Sequence, residues 1–137
     1  MKIFLDANIL VSVLNKEYPL FTYSSRVLSL ADNKKYEVFT SPLCLAIAFY
    51  FAEKKCGTKM AKRKIEILAS KLSITNTGKK EVLQSLQNKK VNDFEDGLEY
   101  YSALENQCTV IVTEDTGDFY YSEIEILNAE NFLRQIH

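Results

Sequence analysis

The sequence predicts an α/β fold with a mainly parallel sheet. Short apolar segments alternate along the chain with longer segments of helical periodicity, which is the pattern of strand–helix–strand units. The 137 residues suffice for one core, and eight Phe and eight Tyr supply large apolar side chains. No internal repeat or linker divides the chain, so we expect a single domain over residues 1–137.

The first half of the chain contains two predicted strands. Its elements are, in order, a strand at residues 2–6, a helical turn or two after residue 8, a helix from residue 19, a strand at residues 37–41 and a helix at residues 42–55. Pro19 is expected in the first turn of its helix, where proline is favoured. Ser41 and Pro42 have the types preferred at N-cap and N1, and Gly57 ends their helix.

The second half contains three more predicted strands. Its elements are an amphipathic helix at residues 58–72, a strand at 73–75, a helix at 79–87, a helix from 93 to 106, a strand at 109–113, a strand at 124–127 and a terminal helix capped by residue 128. The segment Thr109 to Thr113 is the clearest strand, because it is β-branched and uncharged. In the helix at 93–106 one face is shared by Phe94, Leu98, Tyr101 and Leu104, which predicts that at least Tyr101 belongs to the core and does not stack on bases.

Cysteine and histidine usage excludes several kinds of site. The three cysteines form no C-x-x-C pair, and the single histidine, His137, is the last residue. A disulfide framework, a zinc site and a histidine-based triad are therefore not indicated. No apolar run approaches the ~20 residues of a membrane span, and the apolar stretch at the N-terminus is too short for a signal peptide. We therefore expect a cytoplasmic protein.

Charge is distributed unevenly although the net charge is −1. Residues 54–90 contain eleven Lys or Arg and two acids, whereas residues 91–137 contain eleven acids and one Arg. This asymmetry is expected where one segment attracts a polyanion and the other holds cations. The basic segment contains residues suited to contact the phosphate backbone of a nucleic acid such as RNA, at Lys59, Lys62, Arg63 and Lys64. Two alternatives remain for the same residues: they dock an acidic partner, or they lie on solvated helix faces without a specific role.

Acidic residues follow the predicted strands where a ligand crevice is expected. In open parallel sheets that crevice lies beyond the carboxyl ends of the strands. The acids that map there, directly or at the start of a neighbouring helix, are Asp6, Asp93, Asp96, Asp115 and Asp118. Hard oxygen ligands in this number suit Mg²⁺ or Mn²⁺, which can promote phosphodiester cleavage without a histidine.

Simpler roles remain open for some of these acids. Asp93 is equally suited to cap a helix, and Asp115 with Gly117 can form a turn. An aspartyl-phosphate nucleophile at Asp6 is disfavoured, because the second acid expected two residues later is Asn8.

Four segments together resemble the PIN-domain family, which includes the ribonuclease toxins of bacterial toxin–antitoxin pairs. The segments are IFLDANIL, FTSPLCLA, DFEDGLEYYSA and TVIVTEDTGDF, in the family's order and near its spacing. The resemblance implies a three-layer α/β/α sandwich with a five-stranded parallel sheet. It also implies Mg²⁺- or Mn²⁺-dependent cleavage of RNA, an antitoxin partner and, in many members, a homodimer.

The resemblance also implies roles for individual residues. By position, Asp6, Asp96 and Asp118 are the acidic ligands, while Asn8 and Thr113 match small polar positions that orient them. One departure concerns the glutamate that the family usually places early in its third helix. Here the acid's position is Ile47, and an apolar side chain cannot coordinate a metal. The nearest glutamate on that helix, Glu53, lies about two turns further on.

These observations lead to one leading hypothesis and two rivals. The chain is predicted to be a metal-dependent endoribonuclease, the toxin of a type II toxin–antitoxin pair. The rival that Ile47 favours is an inactive module of the same fold that binds RNA or a partner protein. A flap-type DNA nuclease is disfavoured, because the chain is too short for the elements that grip branched DNA.

Overall fold

The computed structural model describes residues 1–137 and contains one five-stranded sheet. The strands are β1 (Lys2–Leu5), β2 (Glu37–Thr40), β3 (Ser73–Ile74), β4 (Val110–Val112) and β5 (Glu125–Leu127). Their order is β3-β2-β1-β4-β5, and every neighbouring pair is parallel. The predicted α/β fold is confirmed, with a sheet that is parallel throughout.

Seven α-helices cover the sheet. They are α1 (Ala7–Leu14), α2 (Phe21–Ser29), α3 (Pro42–Cys56), α4 (Thr58–Lys71), α5 (Lys79–Gln87), α6 (Phe94–Glu105) and α7 (Ala129–Ile136), with 3₁₀ helices at Leu30–Asp32 and Thr116–Phe119. Ser41 caps α3 as predicted, its Oγ accepting from the Cys44 N–H at 3.1 Å. Gly57, at φ 84°, adopts a left-handed backbone that lets α4 begin directly after α3. None of the helices is both long and apolar enough to cross a membrane.

The strand order reverses direction at the centre of the sheet. The chain proceeds outward from β1 through β2 to β3, then crosses back to place β4 on the other side of β1. Right-handed crossovers put the helices of the first half and the pair α5 and α6 on opposite faces. The carboxyl ends of β1 and β4 therefore flank the switch point, where open α/β sheets bind ligands. Residues 3–5 of β1 and all of β4 are buried, as expected for a parallel sheet covered on two faces.

The predicted start of α2 is wrong. α2 begins at Phe21, and Pro19 lies in the turn before it, where the Pro19 carbonyl accepts from the Thr22 N–H. On α6, Tyr101 is partly buried against the core as expected, but the apolar face that it shares is not the buried one, since Phe94 is 44% exposed and Leu104 is 41% exposed.

Small side chains explain which face of α6 is buried. Gly97, Tyr100 and Ala103 face the core, and Tyr101 is only partly buried, its hydroxyl accepting from the Asn88 Nδ2. α6 packs so closely on α5 that a Cβ on Gly97 would lie 3.0 Å from the Ser85 Cβ. The spacing of large apolar residues therefore does not identify this face, because two helices that pack closely need small residues where they meet.

Substituting Gly97→Ala is expected to destabilise the protein. The added methyl would lie 2.8 Å from the Val91 Cγ1, and overpacking of this kind costs about 1–3 kcal/mol, against a gain of about 1 kcal/mol in helix propensity. The urea midpoint should therefore fall. Gly117→Ala is the matched control, since nothing lies within 4 Å of a Cβ there. A Gly97→Ala variant as stable as wild type would contradict the close packing of α5 on α6.

Candidate metal centre

A cleft of about 470 Å³ opens at the carboxyl ends of β1 and β4. Seven of its lining residues are acidic and none is basic; the acids are Asp6, Glu17, Asp93, Glu95, Asp96, Asp115 and Asp118. The structure thus brings all five predicted metal-binding aspartates to one site. They come from the end of β1, the start of α6 and the loop after β4, three parts of the chain that meet only in the folded protein.

Asp6 is the most buried acid of the cleft, with 6% of its surface exposed. It caps α1: its Oδ1 accepts from the Ala7 N–H at 2.6 Å. Its Oδ2 accepts from the Thr113 hydroxyl at 2.7 Å. Each carboxylate oxygen of Asp6 therefore has its own hydrogen-bond donor, which holds the side chain at the start of α1.

Asn8 links the two strand ends that flank the cleft. Its Nδ2 donates to the Thr113 Oγ1 at 3.2 Å and to the Asp115 Oδ2 at 3.1 Å. Its Oδ1 accepts from the Glu114 N–H at 3.2 Å. Asn8 and Thr113 therefore contact the acids directly, in the positions from which they could orient them.

Asp93 and Asp96 stand in the first turn of α6. Asp93 caps the helix, its Oδ1 accepting from the Asp96 N–H at 3.1 Å, so the capping role that the sequence left open is present. Burial and, after it, the charges of Asp93, Asp6 and Asp118 together raise the pKa of Asp96 to about 7. Such crowding of carboxylates is relieved when a cation binds between them.

The other two aspartates follow β4. Asp115 precedes the 3₁₀ helix Thr116–Phe119 and Asp118 lies within it, both exposed to solvent at the rim of the cleft. Glu114, from the same loop, turns away from the cleft, since its Oε2 accepts from the Ala129 N–H at the start of α7. The loop therefore divides its acids between the cleft and the cap of a helix.

The donor set fits a hard divalent cation. The cleft presents carboxylate and amide oxygens at its polar wall and no histidine or cysteine, which is the chemistry that Mg²⁺ and Mn²⁺ prefer. Burial raises the pKa of Asp96 and the charges of Asp93, Asp6 and Asp118 add to this effect, so a cation bound among these acids would offset their repulsion. Ile47 of α3 also lines the cleft and adds no oxygen, while Glu53 binds the Thr58 hydroxyl outside it.

Sequence reasoning missed three acids near this site. Glu17 and Glu95 line the cleft and are exposed, while Glu99 lies on α6 with only 2% of its surface exposed. The signal for Glu99 was available, because it follows Asp96 by three residues and so shares its helix face. It was overlooked because the predicted buried face of this helix was drawn through its large apolar residues.

The predicted RNA-binding residues lie away from the cleft, on α4. Lys59, Lys62 and Arg63 are exposed on this helix. Lys64 is partly buried, and its Nζ donates to the Leu14 carbonyl at 3.0 Å, at the negative end of the α1 dipole. None of the four lines the acidic cleft.

Comparisons with known proteins agree with this architecture. A family model described as a PIN domain matches residues 2–117. Ribonuclease VapC1 of Aquifex aeolicus is 29% identical over 135 residues, which cover 96% of this chain and 92% of the relative. The structure of VapBC2 from Rickettsia felis, bound to a DNA fragment from their promoter, has a TM-score of 0.70 at 22% identity and covers 93% of this chain and 98% of its own. Mycobacterium tuberculosis VapC20, a sarcin-ricin loop cleaving toxin, has a TM-score of 0.63 at 16% identity, covering 80% of this chain and 86% of its own.

Substituting Asp96→Asn is expected to stabilise the metal-free protein at pH 8 and not at pH 4. The pKa of Asp96 is about 7 in the folded protein, against 3.8 for an ordinary aspartate side chain, so the folded state holds an extra proton between these pH values. The free energy of unfolding therefore falls as pH rises through this window. Three pKa units correspond to about 4 kcal/mol, which solvent screening at this half-buried site reduces to roughly 1–2 kcal/mol.

Urea unfolding in EDTA at both pH values measures this difference. Glu123→Gln, which removes an exposed acid outside the cleft, is the control and should change stability little at either pH. An equal gain for Asp96→Asn at both pH values would contradict the charge repulsion that we assign to the cleft.

Proposed function

Because this chain belongs to the PIN-domain family, we propose that it is a metal-dependent endoribonuclease, the toxin of a type II toxin–antitoxin pair. One observation carries the proposal: seven acids and no basic residue line a cleft at the switch point of the sheet. The name of the relative VapC1, a ribonuclease, supports RNA as the substrate. A cleft of this charge would repel the phosphates of RNA unless cations were bound in it.

Asp6, Asp96 and Asp118 would hold Mg²⁺ or Mn²⁺, assisted by Asp93 and Asp115. When bound, the ion lowers the pKa of a coordinated water and offsets the charge that develops on the phosphodiester. The chain's own contribution is to fix the acids before the substrate arrives, since preorganised charge needs no rearrangement during the reaction.

Thr113 and Asn8 act as positioning residues in this proposal. The Thr113 hydroxyl holds one Asp6 oxygen at 2.7 Å and the helix N-terminus holds the other, so the carboxylate cannot rotate freely. Asn8 holds Asp115 at 3.1 Å from the other side of the cleft. Asp96 must be ionised to bind a cation, so activity should rise with pH as this carboxyl loses its proton.

The exposed basic residues of α4 would contact the RNA backbone. Lys59, Lys62 and Arg63 are free of ion pairs and exposed, as phosphate contacts require. Lys64 is a weaker candidate, because its ammonium group already binds the Leu14 carbonyl.

A second surface supports an antitoxin partner. A groove of about 380 Å³ between α1, α2 and α4 has five apolar residues and three lysines in its lining; they are Val13, Leu14, Leu28, Ile67 and Leu68, with Lys16, Lys64 and Lys71. Asp32 also lines it and pairs with Lys71. A segment with an apolar face and flanking acids would complement it. The match to VapBC2 supports an antitoxin as the occupant.

The rival function is a module of the same fold that no longer cuts RNA. Ile47 in the wall of the cleft favours it, since an isoleucine contributes no oxygen to a metal. Such a module would bind RNA or its partner without site-specific uptake of Mn²⁺.

Asp6→Asn is expected to lower Mn²⁺-dependent RNA cleavage by roughly 100-fold or more, because the loss of partners outside a metal's ligand set already costs about 10- to 100-fold. Asparagine is also a good N-cap, so α1 should keep its start and the variant should fold. Cleavage of a labelled total-RNA substrate measures the effect, with Glu123→Gln as the control. Equal cleavage by wild type and Asp6→Asn, or none by wild type at high enzyme and metal, refutes the catalytic proposal.

Ile67→Glu is expected to weaken binding of the antitoxin by at least 10-fold while RNA cleavage continues. The side chain is 52% exposed in the groove, so the substitution should not disturb the core, but it places a charge among the apolar residues of the groove. Calorimetry with the small protein encoded beside the toxin gene measures binding. Leu83→Glu, an exposed leucine on α5 outside the groove, is the matched control. Equal binding by both variants would contradict this docking site.

A further inference from the structure

Glu99 is a buried carboxyl that the proposed function does not use. It lies on α6 with 2% of its surface exposed, and its Oε1 has no hydrogen-bond partner. The other glutamate buried to this degree, Glu81, has an evident structural role, since its Oε1 accepts from the Gly78 N–H at 2.7 Å at the start of α5. A buried polar oxygen without a partner is costly, so its retention calls for a physical reason.

The surroundings of Glu99 offer other potential ligand atoms and no counter-charge. Carboxylate oxygens of Glu99 and Asp6 and the Sγ of Cys44 all lie within 4.8 Å of one another. Burial raises the pKa of Glu99 well above its usual range, and Cys44 and Asp6 raise it further. The site therefore combines two acids at short range with an oxygen that nothing in the protein satisfies.

We propose that Glu99 is a further ligand of the divalent cation bound by Asp6 and Asp96, an inference that rests on the metal site of the proposed function. Glu99 follows Asp96 by one helical turn, so both acids project from the same face of α6. Mg²⁺ and Mn²⁺ hold oxygens at about 2.1 Å, so one ion spans oxygens about 4 Å apart. Oxygens within 4.8 Å need only a small side-chain rotation to share it.

The helix α3 provides no carboxylate to the cleft, and this explains why a second acidic ligand would come from α6. The residue that α3 places in the cleft wall is Ile47, which has no ligand atom. Cys44, also on α3, lies beside Asp6, but burial and the charge of Asp6 raise its thiol pKa to about 11, so it stays protonated at neutral pH. Carboxylate ligands therefore come from β1, α6 and the loop after β4.

A structural role for Glu99 makes a different prediction from a ligand role. A protonated Glu99 that only donates a hydrogen bond to Asp6 could be replaced by glutamine, whose amide also donates. A metal ligand could not be replaced in this way, because the neutral amide lacks the charge that a divalent cation requires. The size-matched variant Glu99→Gln therefore separates the two roles.

The test is calorimetric titration of Mn²⁺ into the full-length protein at pH 8, without RNA. Glu99→Gln is expected to weaken Mn²⁺ binding at least 10-fold, while the melting temperature of the metal-free variant stays equal to or above that of wild type. Glu105→Gln removes the same charge from the same helix outside the cleft and should leave the affinity within about 2-fold, since its ion pair with Lys80 is exposed.

Two further variants keep the test decisive. Glu99→Asp keeps the charge but shortens the side chain by one methylene, so it should also weaken Mn²⁺ binding. This variant replaces Glu99→Gln in the test if the glutamine variant does not fold. Ile47→Glu added to Glu99→Gln returns a carboxylate to the cleft from α3 and is expected to restore affinity.

The outcomes separate this inference from the proposed function. Unchanged Mn²⁺ affinity in Glu99→Gln, together with loss of binding in Asp6→Asn, overturns the role of Glu99 and leaves the metal site intact. A lower melting temperature of metal-free Glu99→Gln, with no rescue by Ile47→Glu, assigns Glu99 a structural role and also overturns it. Binding that depends on Glu99 in a protein that cleaves no RNA supports the ligand and refutes the nuclease.

Discussion

Repulsion among carboxylates at one edge of the sheet is the constraint on which this structure depends. Seven acids share a cleft that contains no basic side chain, and burial together with the charges of neighbouring acids raises the pKa of Asp96 to about 7. The fold tolerates this because two helices begin at the cleft and direct the positive ends of their dipoles toward it. This repulsion lowers the stability of the folded protein. It is also what would favour cation binding, since acids that did not repel one another would be stabilised little by a bound cation.

The same residues that tolerate the repulsion also define the geometry of the site. Asp6 is at once the N-cap of α1, the acceptor for Thr113 and the central acid of the cleft. Fold and site thus share one side chain, so the position of the acid is as fixed as the start of the helix. By contrast, Asp115 and Asp118 lie on an exposed loop and its 3₁₀ helix, where small movements can adapt the coordination to the substrate.

The strands, and the edge of the sheet at which the predicted acids lie, followed from the sequence because local signals specify both. Each strand is a short apolar segment, and each acid stands at a strand end or a helix start, where parallel topology alone decides the neighbourhood. Asn8 was assigned an orienting position, but its contact with Asp115 could not be read from the chain. The buried face of α6 and the burial of Glu99 were missed for a related reason. Both depend on how closely α5 and α3 approach this helix, which is a property of the packed structure and not of periodicity.

The bond between Asn8 and Thr113 has a consequence for how the protein is made. It joins residues 105 positions apart, and the contact between Asp6 and Thr113 spans 107. Contacts of such long sequence separation form only after most of the chain has been synthesised and β4 has docked beside β1. A nascent or truncated chain that ends before Thr113 can carry Asp6 but cannot hold it in place. A chain that ends before residue 118 therefore lacks the complete set of acids, and the cleft assembles only after the loop that follows β4 has been added and β4 has docked beside β1.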